Sequence, residues 1–147
     1  MGGSHFFVRH GLALHVDDAS GTGLPVLFQH GLCGDARQTR DAFPDDRAFR
    51  RITIEMRGHG TSDSGDTSHL SIVTFADDVA AYISASGLGS MVVGGICMGA
   101  ACAFARAAPP PALAPGLVLA RSDWLTAPAP PHLKPHLVPA ASRARGH

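Results

Sequence analysis

Apolar and polar residues alternate along this chain at two different periods, and the change of period separates strands from helices. Phe6–Arg9 and Leu12–Val16 flank His10-Gly11, the pattern of a β-hairpin with a two-residue turn. Turn-forming residues from Ala19 to Gly23 lead through Pro25 into Val26-Leu27-Phe28, an apolar run of the length of a short buried strand. Residues 35–48 are polar and Arg-rich, which predicts one short surface helix broken near Pro44. Ile52-Thr53-Ile54 is β-branched throughout and predicts another strand, ending in the glycine-punctuated loop Arg57–Ser62. Between Ser71 and Ser86, Phe75, Val79, Tyr82 and Ile83 fall at helical spacing. Asp77 and Asp78 are expected to face outward on that helix and to suit its dipole near the start, with Gly87 as its stop. Met91-Val92-Val93 predicts a strand, Met98–Ala108 an Ala-rich helix ended by Pro109-Pro110-Pro111, and Leu117–Ala120 a further strand.

Strands alternating with helices imply crossover connections, hence an α/β fold whose mostly parallel sheet of about six strands carries flanking helices. The pattern divides the chain into 1–125 and a tail at 126–147 that holds five prolines and three histidines, no acidic residue and no periodicity. Composition narrows the class further. With 45% hydrophobic and 16% charged residues the chain reads as globular rather than disordered. Twelve basic and twelve acidic residues cancel, so nothing recommends nucleic acid or an anionic membrane as a partner, and no apolar segment is long enough to span a bilayer. Three cysteines without a C-x-x-C pair argue against a zinc site, and an odd number with no secretory signal suggests a reducing cytoplasm. No phosphate cradle or ligand cluster points to a cofactor.

Chemistry concentrates in three glycine-bearing turns, each at the end of a predicted strand. Gly95-Ile96-Cys97-Met98-Gly99 lies between a strand and a helix. A nucleophile held there sits in a strained turn, and glycines on both sides let neighbouring backbone approach it. That turn alone fits a small buried cysteine equally well. Gln29-His30-Gly31-Leu32-Cys33-Gly34 comes after the strand ending at Phe28 and can aim the N–H of Leu32 at a developing oxyanion. The N–H of Met98, directly after Cys97, would be the second donor. His30 and Gly31 would hold that loop, His30 by hydrogen bonding rather than by taking protons. Arg57-Gly58-His59-Gly60-Thr61-Ser62 closes the next strand, with Arg57 expected to brace it.

In this order the three turns resemble the α/β-hydrolase superfamily, over roughly residues 6–125. The resemblance implies acyl transfer by a nucleophile, a histidine base and an orienting acid, acting on a small-molecule ester, lactone or thioester. Cysteine in the G-x-Cys-x-G turn is similar to dienelactone hydrolases and polyhydroxyalkanoate synthases. A thiolate is the reactive form of cysteine, and a helix N-terminus favours it.

The superfamily places its base after an eighth strand and its acid usually after the seventh, so a chain that stops after six strands is expected to be a truncated hydrolase. Asp123 is the one acidic residue beyond Cys97, admissible as the acid but as readily a solvated loop residue. His132, His136 and His147 sit in the Pro-rich tail, with no strand to position them. Weak or absent turnover is therefore expected, the alternatives being a non-catalytic remnant, a binding module or an acyltransferase. Leu117–Ala120 would form an apolar sheet edge open to self-association.

Overall fold

The computed structural model describes residues 3–89, 91–107 and 116–120. Six strands form one sheet: β1 (Gly3–Arg9), β2 (Leu12–Asp18), β3 (Leu24–Gln29), β4 (Phe49–Ile54), β5 (Val92–Ile96) and β6 (Leu117–Ala120). Their spatial order is β1-β2-β4-β3-β5-β6. β1 and β2 pair antiparallel, as do β2 and β4, whereas β4, β3, β5 and β6 run parallel. The hairpin turn works because His10 and Gly11 both take positive φ, +50° and +77°, the handedness that a two-residue turn between twisted strands requires.

Strand alternation sorts side chains onto two faces. Leu14 and Val16 of β2, Leu27 of β3, Ile52 and Ile54 of β4 and Val93 of β5 form the larger core. Helix α2 (Ile72–Ser86) covers it with Val79, Tyr82 and Ile83, and α3 (Met98–Ala107) with Ala103. Val26, Phe28 and Ile96 face the other way, toward Phe43 at the end of α1 (Ala36–Ala42). Burying each large aliphatic side chain contributes about 1.5–3 kcal/mol, so the larger face dominates the stability of the sheet. The smaller face carries a polar inset. Thr39 of α1 and Thr53 of β4 share a hydrogen bond of 2.7 Å, and buried Arg51 donates to Thr53 and to Asp17.

Several expectations shift in detail. The helix expected over 35–48 ends at Ala42, because Phe43 turns extended before Pro44. The strand expected at 91–93 runs on through Gly94 and Gly95 to Ile96, and β4 begins earlier, at Phe49. The placement of Asp78 is corrected. With α2 starting at Ile72 and capped by Ser71, neither aspartate lies in the first turn, and Asp78 is buried while Asp77 is exposed. Asp78 accepts two hydrogen bonds from Arg57, at 2.7 and 2.8 Å, and its carboxylate lies 3.0 Å from Arg9 Nε. A helix residue that looks solvated thus ties α2 to the end of β4 and to β1.

β6 stands at the edge of the described sheet, with Val118 48% exposed. Asp123, the proline run at 109–111 and the segment 126–147 lie outside the described residues. No described helix is long and apolar enough to cross a membrane.

Candidate active site

The parallel strands deliver their C-terminal ends to one side of the sheet. β3 and β5 stay paired to the last residue of β3, Gln29 opposite Gly95, so the loops leaving the two strands emerge side by side. Cys97 comes directly after β5, and His30-Gly31-Leu32 comes directly after β3. A Cβ built on Gly31 would stand 3.4 Å from the Cβ of Cys97, which sets the two turns in contact.

Cys97 connects strand to helix in a left-handed conformation, φ +51°, a region that costs an ordinary residue about 1–2 kcal/mol. Its carbonyl accepts the N–H of Ala101 at 3.1 Å, opening α3. Close packing around the turn explains its glycines. A Cβ on Gly99 would lie 2.3 Å from the Gln29 carbonyl oxygen, and one on Gly95 would lie 2.4 Å from the Gly99 carbonyl carbon. Both glycines are buried, and Cys97 between them is exposed, so a buried packing role does not describe it. Cys102, one helical turn on, is fully buried against Met56, and burial pushes its thiol up to about 12.

The loop after β3 is fixed by side chains. Gln29, fully buried, continues the sheet beyond the β3–β4 register. Its amide donates to the Ile54 carbonyl and accepts the Ile54 N–H, both at 3.0 Å. His30 Nε2 accepts the N–H of Met56 at 3.0 Å, so its proton sits on Nδ1, which donates to the Gly31 carbonyl at 2.8 Å. Burial holds the imidazole below the ordinary histidine value of 6.5, although the Gly31 hydrogen bond works against it, and nearby His59 lowers it further. A neutral ring with both nitrogens engaged is a brace for the loop. Leu32 lies exposed at the tip, Met98 is half-buried against Met56 and Cys102, and neither N–H has a partner among the described residues. These are the positions expected for the oxyanion donors.

The loop after β4 contains a residue that its sequence motif does not include. Glu55, buried at the strand end, accepts the N–H of Ala36 at 3.1 Å and both the N–H and hydroxyl of Thr61 at 2.8 and 3.1 Å. His15 lies 3.0 Å from the same carboxylate. Burial raises the Glu55 pKa, but these donors outweigh it and hold the carboxyl below its usual 4.5. Ser62 donates to the Glu55 carbonyl at 2.5 Å and accepts the His15 N–H at 2.8 Å. Arg57-Gly58-His59-Gly60-Thr61-Ser62 therefore closes around Glu55, and Arg57 reaches to Asp78. The signal in the sequence was a lone acid directly after a β-branched strand. His59 is half-buried, its Nδ1 3.0 Å from the Arg57 carbonyl and its ring centroid 5.0 Å from that of His30.

These shifts set an acid limit on stability. His30 is held low when folded, so the unfolded chain binds the extra proton first, and stability falls as pH drops below about 6.5. Glu55 adds a second loss below about 4.5, because its folded carboxyl protonates later than its unfolded one. The urea midpoint is expected to be lower at about pH 5.5 than at about pH 7.5. A midpoint at about pH 5.5 equal to or above that at about pH 7.5 contradicts a neutral, buried His30.

Among the described residues no group of three or more His, Cys, Asp or Glu side chains is placed to hold a metal ion. A groove of about 430 Å³, lined by Asp17, Arg40, Phe43, Arg47, Phe49 and Arg51, lies where β2 ends and β4 begins. That is the opposite end of the sheet from Cys97, and the groove has no part in this chemistry.

Known proteins share this fold. A non-heme chloroperoxidase from Streptomyces lividans is 42% identical over 65 residues, which cover 43% of this chain and 23% of that protein. A thioesterase domain from the curacin biosynthetic pathway superposes with a TM-score of 0.72 at 22% identity, covering 81% of this chain and 46% of that one. An N-acyl homoserine lactone degrading enzyme, Est816, superposes with a TM-score of 0.68 at 27% identity over 78% of this chain and 44% of that one. The chain thus spans about half the length of these structures or less. The family model for the alpha/beta hydrolase fold matches residues 25–143, and with the strand order and the three turns in place, this chain belongs to the α/β-hydrolase-fold family.

Proposed function

We propose that Cys97 is an acyl-accepting nucleophile for an ester, lactone or thioester. The observation that carries this reading is an exposed cysteine held at φ +51° at the start of α3, in contact with the glycine of the loop after β3. The thiolate sulfur attacks the carbonyl carbon and a tetrahedral oxyanion forms. It collapses with expulsion of the alkoxide or thiolate leaving group, which takes a proton from solvent, and an acyl-Cys97 thioester remains. The N–H groups of Leu32 and Met98 receive the oxyanion. The thioesterase domain and the lactone-degrading enzyme on the same fold support carbonyl chemistry as the reaction class.

Deacylation needs a base to activate water, and His30, with both ring nitrogens engaged, cannot be one. His59 bonds the Arg57 carbonyl through Nδ1 and its ring packs beside His30 and Phe75, with no contact to Cys97 among the described residues. Acylation outruns deacylation in this reading, and Asp123, His132 and His136 lie outside the described residues. With p-nitrophenyl acetate the chain is expected to release close to one equivalent of p-nitrophenol and then slow sharply, a burst that accumulates acyl-enzyme. Cys97→Ala is expected to remove the burst, and Asp123→Asn to leave it. Steady release that survives Cys97→Ala overturns the assignment. Sustained turnover lost in His132→Ala or His136→Ala would instead show that the tail completes the site.

A further inference from the structure

The reading of Cys97 as nucleophile raises the question of what orients the oxyanion loop, and α1 supplies a residue for it. Gln38 lies in the first turns of α1, an exposed position in a polar helix. Its Oε1 accepts the N–H of Gly31 at 2.6 Å. A Cβ on Gly31 would stand 3.4 Å from that oxygen and 3.4 Å from the Cβ of Cys97, so Gln38 and Cys97 approach the same glycine. The peptide preceding Gly31 is thereby pinned to α1, and its N–H is withdrawn from the site. The next peptide is pinned at the Gly31 carbonyl, which accepts from His30 Nδ1 at 2.8 Å and from the N–H of Gly34 at 3.0 Å. In a trans peptide the N–H points opposite to the C=O. The N–H of Leu32 is therefore turned away from the buried His30 ring.

Resting on that nucleophile reading, we infer that Gln38 is a positioning residue, which by occupying the Gly31 N–H leaves the Leu32 N–H as the donor this loop offers to an acyl oxyanion. Without it the Gly31 N–H is free to compete for the substrate oxygen, and the first peptide of the loop loses its anchor. His30 and Gly34 alone hold the second. The role predicts an effect on one kind of reaction at Cys97 and not on another. Acylation passes through a tetrahedral oxyanion, whereas alkylation by iodoacetamide displaces iodide at a CH₂ carbon and generates no such oxyanion.

Both rates are measurable at Cys97 in the full chain, by p-nitrophenol release and by mass-spectrometric labelling. Gln38→Ala is expected to slow acylation about tenfold while alkylation stays within about twofold of the unsubstituted chain. Gln38→Glu, whose carboxylate also accepts the Gly31 N–H, is expected to restore most of the acylation rate. A Cβ on Gly34 would stand 2.4 Å from Gln38 Oε1, so Gly34→Ala displaces the side chain and is expected to reproduce Gln38→Ala. An unchanged acylation rate in Gln38→Ala, or an equal loss of both rates, overturns the positioning role. If the unsubstituted chain alkylates at Cys97 and releases no p-nitrophenol burst, the nucleophile reading itself fails and takes this role with it.

Discussion

Gly99→Ala is expected to destabilise the chain by about 3 kcal/mol and to dismantle the turn that presents Cys97. The added Cβ would fall 2.3 Å from the Gln29 carbonyl oxygen and 2.6 Å from that of His30, and both atoms are backbone. A side chain in the way can swing aside, but these carbonyls belong to the end of β3 and to the loop pinned by Gln38 and His30. Relief requires α3 to move off the sheet, which also withdraws Ala100 and Ala103, both fully buried. Gly116→Ala is the comparison. Among the described residues its Cβ would meet only the Val92 methyls, at 3.4 and 3.6 Å, and the urea midpoint is expected to change little. Equal, small effects at the two positions would mean that the turn is looser than its contacts imply.

Asp78→Ala is expected to cost at least about 3 kcal/mol, since it leaves the buried guanidinium of Arg57 without its carboxylate. Asp78 is 3% exposed and joins Arg57 through two hydrogen bonds, with Arg9 at 3.0 Å on the same carboxylate. Most of that loss is the penalty for an orphaned charge rather than the net worth of the pair. Replacing both partners, as in Arg57→Met with Asp78→Leu, is accordingly expected to recover much of the stability. A double variant as unstable as Asp78→Ala alone would show that Arg9 or the packing of α2, not the unpaired Arg57, carries the effect.

Local patterns carried most of the fold. The hairpin was legible because alternation breaks at a dipeptide suited to positive φ, and α2 because its apolar stripe and its caps agree. The three glycine turns were legible as strand ends, and the family emerged from their order. The features that stayed hidden depend on partners distant in sequence. Adjacent aspartates at 77 and 78 read as a solvated pair, since nothing local announces that Arg57 waits 21 residues earlier for one of them. The strand expected at 91–93 stopped short of Gly94, and Gly95 read as a turn residue, yet both lie in β5. A Cβ on Gly94 would stand 2.4 Å from the Val118 carbonyl oxygen, so the close approach of β6 selects glycine inside a strand. Glu55 escaped notice because the loop motif begins two residues after it. Gln38 had no signal at all in a polar helix, because its role is defined by a backbone N–H on another element.

The proposed function stands on Cys97 being the thiol that takes the acyl group. The chain carries its own controls, since Cys33 is also exposed and Cys102 is buried with its thiol pushed up to about 12. Brief exposure to an activated ester, acid quench and peptide mapping by mass spectrometry locate the acyl group directly. The expected result is one acyl group per chain on Cys97, with Cys33 slower by at least about tenfold, the difference an oxyanion site makes over a merely accessible thiol. Acyl groups distributed equally between Cys33 and Cys97, or found on Cys33 alone, would contradict the claim.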